Sequence, residues 1–216
     1  MPNWCTVTIT LQGDDANVLA CLDKIAPTHP DGGRHFQFDN VVQMPTGLDE
    51  RLSADIKKAV WYMTIAPSLN PDTWNKFNRY QLMFDALKIK TLVNNDMGQM
   101  EIALRALRNQ RKHEAMDMGE WCGAHWDVGS DLSETETDIN TDPEYGPVSL
   151  VFDTPWQPPI AIFEALHRQF PNIAISATFE EPGNGVYGRY ENGSLVYDTP
   201  CDEDGEDIEP SPLPSL

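Results

Sequence analysis

The stretch PVSLVFDTPWQPPIAIFEALHRQFPNIAISATFE (residues 147–180) sets out a strand, a stiff loop, a helix and a second strand in that order. Val148 to Phe152 is a short apolar strand. Thr154-Pro155-Trp156-Gln157-Pro158-Pro159 follows, with prolines fixing the entry to a helix. Ile160, Phe163, Leu166 and Phe170 fall at helical spacing, and Pro171 stops the run. Ile173, Ile175, Ala177 and Phe179 then alternate as a strand. Gly183-Asn184-Gly185 turns the chain into a further strand, Val186 to Tyr190. Asn192-Gly193 signals a hairpin before Ser194 to Tyr197.

The N-terminus reads as a similar unit. Thr6, Thr8 and Thr10 alternate with Val7, Ile9 and Leu11, the period of a half-buried strand. Gly13-Asp14-Asp15 turns and caps a helix on which Ala16, Val18, Leu19, Leu22 and Ile25 fall, ended by Pro27. His35 to Met44, with Phe36, Phe38 and Val41 apolar, reads as a second strand. Two β-α-β units predict an α+β fold: a ferredoxin-like antiparallel sheet with two packed helices, split by a helical insertion.

The predicted organisation is a first half over 1–48, a helical insertion over 49–118 and an acidic connecting segment over 119–146. A second half with its hairpin occupies 147–197, and a disordered acidic tail 198–216. Within the insertion, helices are expected at Ala54 to Met63, Asn78 to Thr91 and Met97 to Lys112. Asp96 would cap the last, and Met100, Ala103, Leu104 and Leu107 would be its buried stripe.

Charge is unevenly spread along the 216 residues, whose formal net charge is -19. Residues 51–112 carry eleven bases and five acids, whereas 113–216 carry 22 acids and only Arg168 and Arg189 as bases. So acidic a chain is a poor general binder of polyanions, because phosphate affinity rests on Lys and Arg. No apolar run is long enough for a membrane span, and no basic-then-apolar leader opens the chain. A cytoplasmic location with reduced cysteines is expected for Cys5, Cys21, Cys122 and Cys201. Cys21 is expected in the core and Cys201 in the exposed tail.

Four ordered motifs carry a resemblance. Met1-Pro2-Asn3-Trp4-Cys5 leads into an alternating strand. Cys122-Gly123-Ala124-His125-Trp126-Asp127 corresponds to a tryptophan-glycine-threonine-lysine-tryptophan-aspartate signature, keeping Gly123, Trp126 and Asp127. Phe152 to Pro159 contains Trp156, Pro158 and Pro159, and Glu180-Glu181-Pro182-Gly183 leads to Gly188. Together these resemble the YubB-like, phage-encoded family of ferredoxin-like proteins. The resemblance implies the ferredoxin-like fold and carriage on a phage or plasmid, and brings no catalytic activity. Asn3, Trp4, Gly123, Trp126, Asp127, Trp156, Pro158 and Pro159 are its motif residues, with a structural role expected.

Chemistry leaves few marks. There is no P-loop, GxGxxG or GxSxG elbow. Cys122 and His125 fall short of the three or four ligands a metal needs, so neither metal nor cofactor is expected. Trp4, Trp121, Trp126 and Trp156 are expected to fill space between sheet and insertion; an aromatic ligand platform is the alternative. The sharpest lead is the base-free stretch 119–145. Asp131, Glu134, Glu136, Asp138, Asp142 and Glu144 are the expected partner-binding acids, imitating DNA phosphates before a basic groove. The expectation is a non-enzymatic protein that binds and inhibits a host nucleic-acid-handling or defence complex of the CRISPR or restriction type. One alternative is a nucleic-acid-binding accessory protein using Arg105, Arg108, Arg111 and Lys112. The other is a small-molecule enzyme with a pocket near Trp121 to Asp127.

Overall fold

A computed structural model describes residues 3–30, 32–48, 51–54, 56–57, 60, 97–132 and 137–198. The expected helix Asn78 to Thr91, the cap Asp96, Cys201 and the tail beyond Asp198 lie outside the described residues, as does most of the expected helix Ala54 to Met63. Contacts divide the chain into one unit of Met1–Met44 with Cys122–Leu216, and a second of Pro45–Trp121.

The first unit holds a six-stranded sheet. Its strands are β1 (Trp4–Gly13), β2 (Thr137–Asn140), β3 (Val148–Pro155), β4 (Ile173–Glu181), β5 (Val186–Glu191) and β6 (Ser194–Asp198). Their order is β2-β3-β1-β4-β5-β6, and every neighbouring pair is antiparallel. The first four strands of that order, with helices after β1 and β3, make a ferredoxin-like domain. A hairpin, β5–β6, extends it beyond β4.

β1 owes its central place to its alternation. Cys5, Val7, Ile9 and Leu11 are buried on one face, and Thr6, Thr8 and Thr10 are partly exposed on the other. Helix α1 (Asp15–Ile25) is capped by Asp14, whose side chain accepts from the Ala16 N–H at 3.0 Å. It buries Val18, Cys21, Leu22 and Ile25. The helix Ile160–Gln169 buries Ile162, Phe163, Ala165 and Leu166. Each of the Val, Leu, Ile and Phe side chains among these contributes about 1.5–3 kcal/mol of apolar burial. Lys24 of α1 donates to Gln169 and lies over the Phe170 ring, so the two helices share one face of the sheet. At the far end Asn192 (φ 49) and Gly193 (φ 87) both take the left-handed conformation of the expected two-residue hairpin.

The first half departs from the expected strand at His35 to Met44. Those residues form a partly buried loop around a 3-10 turn, Phe38–Asn40, and the second strand of the domain is instead β2. The Phe side chains explain the false signal. Phe36 and Phe38 are fully buried, in ring contact with Phe152 at 5.4 and 5.7 Å.

Such a loop must satisfy its buried backbone groups without a strand ladder. Here distant side chains do so. Asp131 accepts from the Phe38 and Asp39 N–H groups. Trp126 donates to the Val42 carbonyl at 2.9 Å and Gln169 to that of Val41 at 2.8 Å. Consequently the insertion falls inside the first β-α-β crossover, between α1 and β2, and not between two complete halves.

The second unit contains α2 (Met97–His113) and the start of α3 (Met118–His125). Ala103 and Ala106 are buried with Val60, and Leu107 packs beside them. Leu104, expected in the buried stripe, is 47% exposed, so the core face of α2 is rotated from that prediction. Asp117 organises this unit. It is buried, pairs with Lys57 at 2.7 Å and accepts from the Leu52 and Glu120 N–H groups. Burial alone would raise its pKa, but those three bonds outweigh it and hold the carboxyl below its ordinary value.

Candidate interaction surface

The acid-rich segment expected to be a single surface splits into inward and outward parts. Asp127 adopts a left-handed backbone (φ 63). Its carboxylate accepts from the Ala161 N–H at 2.7 Å, and its carbonyl accepts from the Gln157 side chain. The helix Ile160–Gln169, now α4, starts at Pro159, which has no side-chain capping bond. Asp127 therefore caps it from a distant loop, with a negative charge at the positive end of the helix dipole.

Asp131 is likewise committed to the fold, which corrects its grouping with the partner-binding acids. Besides Phe38 (2.6 Å) and Asp39 (3.0 Å), it accepts from the Leu132 N–H at 2.8 Å. Burial raises its pKa above the ordinary carboxylate value. The three N–H bonds pull the other way without cancelling that effect, and nearby Asp39 adds to the rise.

The outward part follows. Asp138 is exposed on β2, the edge strand of the sheet. Asp142 accepts from the Glu144 N–H at 2.9 Å, capping a 3-10 turn over Pro143–Tyr145. Glu144 is exposed, and Tyr145 is 78% exposed. Glu134 and Glu136 lie outside the described residues.

These acids adjoin the sheet face that carries no helix of this unit. Pairing places Asp153 and Glu180 on either side of Thr6, and Asp138 beside Val151. Thr6 donates to Asp153 at 2.7 Å. Arg189, the one cation of that face among the described residues, reaches Asp198 at 2.6 Å and Glu191 at 3.7 Å.

Asn3, Trp4 and Trp156 meet at the N-terminal end of β1. The Trp156 N–H donates to the Asn3 carbonyl at 2.9 Å, and Trp4 stands opposite Pro155. Thr154 is buried and its hydroxyl donates to the Gln157 carbonyl at 2.8 Å. Pro158 and Pro159 are buried, while Gly123 is exposed. Glu181, buried at the end of β4, accepts from the Gly183 and Asn184 N–H groups, each at 2.8 Å. A side chain at Gly183 would collide with the Asn3 amide. Thr154 and Glu181 stand inside the sequence motifs, but nothing in their spacing reveals which backbone groups need a partner.

The tryptophans divide. Trp121 and Trp126 are buried, whereas Trp4 and Trp156 are each 52% exposed. Trp156 takes a left-handed backbone (φ 71). Cys5 is buried beneath it all, and burial pushes its thiol up to about 12 despite a bond with Thr154. It is no thiolate at neutral pH. Cys21 is pushed up to about 12 by the same cause. Cys122 is buried and His125 exposed. Among the described residues, no three His, Cys, Asp or Glu side chains are grouped to hold a metal ion. None of the described helices is long and apolar enough to cross a membrane.

In the second unit, Arg108, Arg111 and Lys112 are exposed near the C-terminus of α2, and Arg105 is partly buried. Arg108 also donates to the Leu104 carbonyl of its own helix at 3.3 Å.

Residues 133–210 match the family described as the ferredoxin-like domain in Api92-like protein. The chain thus carries a ferredoxin-like domain similar to that of Api92-like proteins. Among solved structures, the protein Api92 from Yersinia pseudotuberculosis aligns over 99% of this chain and 100% of that one, at 12% identity and a TM-score of 0.42. No curated protein sequence matches.

Proposed function

We propose that this is a non-enzymatic, cytoplasmic interaction protein of a phage or plasmid. It binds and inhibits a host nucleic-acid-handling or defence complex, of the CRISPR or restriction type, by presenting acids to a basic groove. The observation that carries this reading is the placement of exposed carboxylates on a paired sheet. Asp138, Asp153 and Glu180 stand on strands in fixed register, with Asp142 and Glu144 in a capped turn beside them. Neighbouring strands are about 4.8 Å apart, so such charges keep their spacing when a partner approaches. Opposite charge would make capture fast and salt-sensitive.

The test is affinity capture from host lysate at low and moderate salt, with the triple variant Asp138→Asn, Asp142→Asn, Glu144→Gln as comparison. One stoichiometric host complex, lost with the variant, is the expected result. Equal recovery by both proteins rejects the acidic surface. A second reading is nucleic-acid binding through α2, favoured by the exposure of Arg108, Arg111 and Lys112. Capture that disappears on nuclease treatment, and on reversing those three charges, would establish it.

A further inference from the structure

Next to the outward acids lies a groove of about 540 Å³ between α1 and the β2–β3 connection. Leu11, Val18 and Leu22, already almost wholly buried in the core, lie beneath it, and the half-buried Val148 lines it as well. Leu19 also lines it and is 52% exposed. Its lining includes Asp15 and no Lys or Arg. Pro143, another lining residue, sits between Asp142 and Glu144 in the capped turn.

We propose that this groove takes an apolar side chain from a basic segment of the partner protein, so that the acidic rim holds flanking Arg or Lys while the floor buries the anchor. The proposal rests on the acidic-surface reading and deepens it by naming the partner's chemistry. Charge selects the occupant. Asp15 lines the groove, and the exposed Asp142 and Glu144 flank its lining residue Pro143, so a cationic segment fits it. The chemistry of the lining selects a peptide over a small polar ligand. Gln12, Asp15 and Thr141 are its polar side chains, too few and too anionic to orient a metabolite, whereas an aliphatic anchor needs only the apolar floor. The exposed Leu19 gives that anchor a contact which costs the free protein little to keep.

The probe is a fluorescein-labelled amphipathic peptide of Leu and Arg, compared with a Ser/Arg peptide lacking anchors and a Leu/Glu peptide lacking cations. Anisotropy titrations use the full chain at low and moderate salt. The Leu/Arg peptide should bind saturably, about tenfold more tightly than Ser/Arg, and Leu/Glu should not bind. Leu19→Ser should weaken Leu/Arg binding about tenfold and leave Ser/Arg binding unchanged. Leu104→Ser, at an equally exposed leucine of α2, should change neither. Amide shift changes on binding should centre on residues 11–22 and 141–148. Equal binding of Leu/Arg and Ser/Arg, or no effect of Leu19→Ser, overturns the groove and leaves the acidic surface standing. Failure of both basic peptides to bind overturns the two together. Binding of Leu/Glu as tight as Leu/Arg overturns the assigned partner charge.

Discussion

Residues 122–132 and 137–146 both lack Lys and Arg and both carry carboxylates, yet they use them in opposite ways. In the first, Asp127 and Asp131 turn onto backbone N–H groups, one at the start of α4 and the other in the partly buried loop after α1. In the second, Asp138, Asp142 and Glu144 are exposed on an edge strand and a capped turn. The difference is set by what lies nearby. A carboxylate next to orphan N–H groups becomes a cap or an anchor. One on a sheet edge has only solvent or a partner to meet. Acidic composition is therefore not a measure of acidic surface.

The largest expected effect comes from breaking the inward set. Asp131→Ala leaves three backbone N–H groups without their acceptor and should cost about 3 kcal/mol or more in denaturant unfolding. Lys57→Met should cost about 3 kcal/mol by leaving Asp117 buried without its cation. Asp127→Ala, the loss of a helix cap, should cost about 1–2 kcal/mol. A stability change under about 0.5 kcal/mol for Asp131→Ala or Asp127→Ala would remove the distinction between the two regions.

Acidity sharpens the same distinction. The folded-state pKa of Asp117 is lowered, so its contribution is present above the ordinary carboxylate value and is lost as pH falls through the folded value. Lys57 has its pKa raised. Desolvation opposes the rise, but Asp117 and Glu120 overcome it, so its share is lost only as pH climbs through the folded value. Asp131 runs the other way. Its folded pKa is raised, so stability falls as pH rises from the ordinary carboxylate value through the folded one. Asp131→Asn should flatten that decline, and Asp117→Asn should flatten the loss on acidification. Unfolding curves over the acid range check both signs.

The smallest effect on stability is expected for the outward set. Asp138→Asn, Asp142→Asn and Glu144→Gln together should change the unfolding free energy by less than about 1 kcal/mol, since exposed substitutions seldom do more. The same triple variant should lose the partner in affinity capture. A large loss of stability instead would mean that these acids also serve the fold.

Much of the sheet was legible because its strands obey a simple period. Alternating Thr with Val, Ile and Leu over residues 6–11 predicts β1, and Asn192-Gly193 predicts the β5–β6 hairpin. The second strand was not legible. Thr137-Asp138-Ile139-Asn140 has one aliphatic residue and no pattern of its own, and it is a strand because β3 offers it a ladder. Phe36 and Phe38 imitate a strand at i and i+2, but they reach the core from a loop whose backbone is satisfied by Asp131, Trp126 and Gln169. The motif residues were visible as motifs. That Asn3, Asp127, Thr154 and Glu181 serve one end of β1, while the groove forms toward the other, depends on contacts between residues far apart in the chain.

By itself, the sequence determined the local periods, the turn chemistry, the class of fold and the imbalance of charge, because each is a property of neighbours along the chain. Tertiary structure alone decided which carboxylates face inward, which strand fills the second place and where an apolar groove meets an acidic rim. Those outcomes depend on which unsatisfied backbone groups and apolar surfaces come together when distant segments pack, and local spacing carries no record of that meeting.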